Sequence, residues 1–132
     1  MLEVVNNTST TLEANNTIPF TTVTLDTNSD ANFNSSTNSI VITKGGIYSI
    51  NGSFVFTPSS SELATITMYV NGSPTETLSS FTASESNTYT FVINNKLIKT
   101  ITTLSNSDVE IKFVTNVAGT LNNARMSEFR LV

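Results

Sequence analysis

The chain has 132 residues with six basic and ten acidic side chains, a net charge of −4 at pH 7, and neither Cys nor His. Without Cys there are no disulfides, thiolate nucleophiles or zinc-thiolate sites, and without His the usual general base near neutral pH is missing. With no Lys or Arg before Lys44, no basic stripe is available to a nucleic-acid backbone, and the length suits one core rather than two.

Thr, Ser and Asn number 23, 18 and 17 against a charged fraction of 12%, roughly half the usual share. The surface is therefore built from hydroxyls and amides, which suits strands and the turns between them. Residues 1–17 differ in character from the rest. LEVV reads as a short strand, and the Asn/Thr-rich stretch after it as an extended N-terminal arm. Leu2, Val4, Val5 and Leu12 are its candidate anchors on a larger assembly. The segment lacks the basic, apolar and small-residue zones of a secretory signal, and the initial Met suits a small complete gene product.

The domain proper is expected over 18–132. IPFTTVTL at 18–25 reads as its first strand, followed by a polar loop to Ser39. Asp26, Asn28 and Asp30 stand at alternate positions of that loop, a spacing that can place hard oxygen ligands around calcium. The pattern is incomplete: Ala31 stands where a calcium loop needs Gly, Thr37 where it needs Glu, and no helices flank it.

IVI at 40–42 is the next strand, and Gly45-Gly46 turns it into IYSINGSFVF, with Tyr48, Ile50, Phe54 and Phe56 on one face. ATITMYV places Ala64, Ile66, Met68 and Val70 on one face. Asn71-Gly72 is a hairpin signal, because both residues accept positive φ, and TETLSSF at 75–81 is the return strand. A polar stretch at 83–87 precedes TYTFVI, which aligns Tyr89, Phe91 and Ile93. An Asn94-Asn95 turn is expected to lead into a separate strand at 97–104. DVEIKFV then puts Val109, Ile111 and Phe113 inward. The closing strand, 125–132, sets Phe129 and Leu131 against Glu128 and Arg130, and its apolar end is expected to be clamped in a sheet.

No helical period persists for ten residues, and strands recur every eight to twelve. The expected fold is all-β, a double-sheet antiparallel jelly-roll sandwich of about ten strands. Several strands carry apolar residues on both faces, and Tyr69, Val92 and Val114 are the candidates for a threefold interface. Tyr69 is also the aromatic side chain best placed for a saccharide contact.

Four phrases in order carry a resemblance: Gly46-Ile47-Tyr48, Asn71-Gly72, Ser107-Asp108-Val109 and the closing Phe129-Arg130-Leu131. Their succession resembles the tumour-necrosis-factor-like jelly-roll family, which includes complement globular heads, in its bacteriophage and bacterial surface-protein branch. The resemblance spans about 18–132. Ser107 replaces the family's usual Gly, and Glu128 and Arg130 occupy positions where small residues are common. It implies a homotrimer of ten-stranded jelly rolls.

These readings lead to a non-enzymatic virion structural protein of a bacteriophage, a capsid decoration or fibre head anchored through its N-terminal arm to other virion proteins. Such a protein assembles in host cytoplasm and ends on the capsid or tail surface. It needs no cofactor, nucleic acid or membrane. The alternatives are a host-surface or carbohydrate-binding adhesin head that meets a surface glycan, and a bacterial spore or cell-surface coat protein.

Overall fold

The period-2 patterns become eleven strands among the residues described by the computed structural model, 1–27, 30–79, 87–100 and 108–132. They are β1 (Leu2–Asn6), β2 (Thr10–Leu12), β3 (Thr22–Asp26), β4 (Ala31–Asn34), β5 (Ser39–Ile42) and β6 (Gly46–Pro58). After these come β7 (Thr65–Val70), β8 (Ser73–Ser79), β9 (Tyr89–Thr100), β10 (Val109–Thr115) and β11 (Gly119–Arg130). Every pairing is antiparallel. Sheet A runs β3-β1-β11-β6-β9, with β2 also on β11, and sheet B runs β4-β5-β10-β7-β8. The fold is a jelly-roll sandwich.

The inward positions follow from alternation. On β6 of sheet A, Tyr48, Ile50, Phe54 and Phe56 are fully buried, facing Ile66 and Met68 of β7 and Ile111 and Phe113 of β10 across the core. Each such side chain contributes about 1.5–3 kcal/mol on burial. Phe54 and Phe113 join the two sheets directly, with ring centroids 4.7 Å apart at 47°. Asn71 and Gly72 both have positive φ, 50° and 80°, as the two-residue turn between β7 and β8 requires. Gly46 has a different reason to be glycine: a Cβ there would sit 2.5 Å from the Val132 carbonyl oxygen and 2.8 Å from Arg130 Nε.

The first seventeen residues are not a separate arm. β1 lies between β3 and β11, with Leu2 opposite Glu128 and Val5 opposite Arg125. β2 continues along the same side of β11, pairing Leu12 with Gly119. Leu2, Val4 and Leu12 are buried in the core, and Val5 is buried at the outer face of sheet A, so these side chains are taken up by their own sandwich. An apolar alternation this short gains most by completing the sheet of its own chain.

Three further expectations changed. Ile18 and Phe20 are buried but precede β3. Pro19 has no N–H for a ladder, and the amides beside it bond elsewhere, Ile18 N–H to the Phe113 carbonyl at 2.8 Å and Phe20 N–H to Asn38 Oδ1 at 3.1 Å. The polar loop after β3 contains β4, which pairs with β5. Asn94-Asn95 makes a bulge instead of a turn, so β9 continues to Thr100. Asn95 takes φ 52° where the β6–β9 register shifts, and its N–H bonds Asn51 Oδ1 at 2.9 Å. The expected strand residues 80–81 and 101–104, the polar stretch 83–86, and Ser107 lie outside the described residues.

β11 alternates as expected, and the face it turns inward is the one that carries Glu128. Met126 and Glu128 are fully buried, whereas Phe129 and Leu131 are 48% and 49% exposed. A register shift between Leu121 and Asn123 sets which parity enters the core. The charged positions find partners at that end of the sandwich. Arg130 Nη2 donates to the Gly45 carbonyl at 2.7 Å, and its Nη1 lies 3.7 Å from Asp30 Oδ2.

Candidate binding surface

The outer face of sheet A gathers small polar side chains from four strands. One cross-strand row runs Val5, Arg125, Ser53, Val92 through β1, β11, β6 and β9, and the neighbouring row pairs Glu3 with Ser127 and Ser127 with Asn51. Serine at 53 and 127, between longer neighbours, leaves the sheet low there. The result is a recess of about 160 Å³ lined by Asn51, Gly52, Ser53, Val92, Asn94, Arg125 and Ser127. A second, of about 140 Å³, is lined by Val5, Asn7, Ser53, Asn123, Ala124 and Arg125. They share Ser53 and Arg125.

The β9 bulge shapes the margin of the first recess. Asn51 Nδ2 donates to Ser49 Oγ at 3.3 Å, Ser49 Oγ donates to Asn95 Oδ1 at 3.0 Å, and Asn95 N–H returns to Asn51 Oδ1. Both ends of the Asn51 amide are thereby fixed. Among the described residues, the side chains of Ser53, Asn94, Asn123 and Ser127 make no hydrogen bond within the chain. Their donors and acceptors are available to a ligand. Arg125, with its side chain 64% exposed, approaches Glu3 through Nε at 3.8 Å, while Glu3 Oε1 accepts from Thr24 Oγ1 at 2.8 Å.

Beside the recesses, the same face carries an apolar rim. Phe129, Ser49 and Leu97 form one row across β11, β6 and β9, and Leu97 is 57% exposed. Leu131 lies next along β11, its N–H bonded to the Ile47 carbonyl at 2.8 Å.

No family model and no curated protein matches the sequence. Among solved structures, a family 35 carbohydrate-binding module from an environmental isolate is similar at 16% identity and a TM-score of 0.42, covering 100% of this chain and 98% of that one. The family 35 module of Cellvibrio japonicus Abf62 is similar at 12% identity and a TM-score of 0.39, covering 93% and 97%. Likeness at this level carries neither a ligand nor a site from those modules to this chain.

The structure divides the three interface candidates. Val92 is on the outer face of sheet A, whereas Tyr69 and Val114 are on that of sheet B, opposite Lys112 and Thr67 respectively. The three residues therefore do not share one face, and Tyr69 lies on the sheet away from the recesses. Two of the three calcium candidates lie among the described residues. Asp30 is paired with Lys44 at 3.3 Å and Arg130 at 3.7 Å, cations that compensate its charge. Asp26 lies on the edge strand β3 opposite Leu2, and Asn28 is outside the described residues. Among the described residues no group of three or more acidic side chains could hold a metal ion.

Tyr48 belongs to the Asp30 cluster. Its hydroxyl donates to the Lys44 carbonyl at 2.9 Å. Burial pushes the phenol above its ordinary range, Arg130 pulls against that shift, and Asp30 and Glu128 add to it. The recess residues Asn51, Ser53, Asn94 and Ser127 were invisible to sequence reasoning, because in a chain with 17 Asn and 18 Ser no single one stands out. Only the cross-strand register collects them.

Proposed function

We propose that this chain is a non-catalytic jelly-roll module that binds carbohydrate on the outer face of sheet A. The observation that carries the reading is the pair of adjoining recesses around Ser53 and Arg125, in whose lining the side chains of Ser53, Asn94, Asn123 and Ser127 make no bond inside the chain. Groups that both donate and accept suit a ligand whose hydroxyls do the same, and Val92 offers an apolar contact for the C–H face of a sugar ring. Glycan-array screening followed by ¹⁵N chemical-shift mapping tests the proposal. Binding should move the amides of Asn51, Ser53, Asn94 and Ser127. Absence of any glycan binding, or shifts confined to sheet B, would refute it.

A second reading has its own observation. The rim of Phe129, Leu97 and Leu131, with Val92, is an exposed apolar group on the outer face of sheet A, and such groups mark contact surfaces. With two five-strand paths, it supports the homotrimeric structural head that the tumour-necrosis-factor-like resemblance implies, on a virion or on a bacterial or spore coat. Light scattering after size exclusion tests this: a trimer is expected, and a monomer at working concentration removes the reading.

A further inference from the structure

Resting on the carbohydrate reading, we infer that the site selects an acidic sugar, a ring bearing a carboxylate or a sulfate ester, and that Arg125 is the residue that recognises the anion. The chain as a whole is acidic, at −4, so a cation at the centre of the recessed face is a local departure from its general field. Arg125 lines both recesses and sits in one row with Ser53 and Val92. A ring in either recess therefore lies beside its guanidinium.

The guanidinium is not consumed by its own protein. Its contact to Glu3 is made through Nε at 3.8 Å, longer than a charge-assisted hydrogen bond of roughly 2.7–2.9 Å. Among the described residues no ion pair or hydrogen bond engages its two terminal nitrogens. Those nitrogens form the planar fork that receives a carboxylate or sulfate in bidentate fashion. Glu3, steadied by Thr24 Oγ1 at 2.8 Å, keeps the arginine over the face in the absence of ligand and competes with an incoming anion. The neighbouring hydroxyls and amides then read the rest of the ring, so anion and sugar are recognised together.

The test is a calorimetric and ¹⁵N titration of the intact chain with glucuronate, glucose 6-sulfate, glucose, acetate and inorganic sulfate, at low and high salt. An acidic sugar should bind about tenfold or more tighter than glucose, with the advantage reduced by salt, and acetate and sulfate should bind far more weakly than their sugar counterparts. Comparing the two acidic sugars tells which anion the fork prefers. Arg125→Gln should collapse the ratio of acidic to neutral affinity toward one, Arg125→Lys should retain part of it, and Glu3→Gln should raise it. Equal affinity for glucose and both acidic sugars would overturn this inference while leaving the carbohydrate reading intact. Failure of every sugar to bind would overturn both. Acetate or sulfate binding as tightly as the sugars would replace the acidic-sugar site with a simple anion site.

Discussion

Replacing Phe129 by Ser tests the parity of β11. If Phe129 faced the core, as the apolar end of the strand suggests, its loss would cost about 3–5 kcal/mol, the range for truncating a buried aromatic. At 48% exposure, only about half of the 1.5–3 kcal/mol gained by burying such a side chain is at stake, or about 1 kcal/mol. Met126→Ala is the companion variant, because Met126 lies on the opposite face and is fully buried. It should cost about 2–5 kcal/mol. For a chain of this length each kcal/mol moves the melting temperature by about 3–4 °C. The first variant should therefore melt a few degrees low and the second about 6–20 °C low. Urea unfolding followed by far-UV circular dichroism gives both values. A loss of 3 kcal/mol or more in Phe129→Ser with less than 1 in Met126→Ala would refute the register, since a one-residue slip exchanges the two faces. Repeating the measurement over a range of chain concentrations isolates self-association, which makes the midpoint concentration-dependent.

Tyr48 makes stability fall in alkali. Its folded-state phenol titrates above the ordinary value of about 10, so its contribution is whole below pH ~10 and is lost as pH rises through the folded value. Tyr48→Phe should flatten that decline in a pH series of urea midpoints, and an unchanged slope would remove Tyr48 as its source. Calcium should leave the melting temperature where it is, because Asp30 already faces Lys44 and Arg130; a calcium-dependent rise would reverse this account of the Asp30 loop. Asn95→Val should cost about 1–3 kcal/mol, since a β-branched residue is strained at φ 52°. Asn95→Gly should cost less, losing mainly the bond from Ser49 Oγ. Equal losses would mean that the side-chain bond matters more than the backbone conformation.

Where hydrophobic alternation is strong, the fold was legible. Tyr48 to Phe56 on β6, Ile66 and Met68 on β7, and Ile111 and Phe113 on β10 point inward as their period requires. The Asn71-Gly72 turn follows equally directly from its residue types. Alternation identifies two faces without saying which is wet, and only the structure shows that Glu128 is buried while Phe129 is half exposed. Asn94-Asn95 carries the composition of a turn, yet positive φ at one residue serves a bulge as well. β4 was hidden because Asn32 and Asn34 bring no apolar signal to its outer side. The candidate site is a product of register, and register depends on bulges that local sequence does not specify.

The position of β11 also fixes a timetable. In sheet A it lies between β1 and β6, so Leu2 meets Glu128 only after nearly the whole chain has left the ribosome. Until then β1 has no neighbour from that end of the chain, and β6 presents an open edge to any other strand. Sheet A is therefore closed by a contact of long sequence separation, and its folding should be slow for its size. Nascent chains halted before Gly119 should be protease-sensitive and prone to edge pairing with one another. The strand that joins β1 to β6 is thus the one most distant from β1 along the chain.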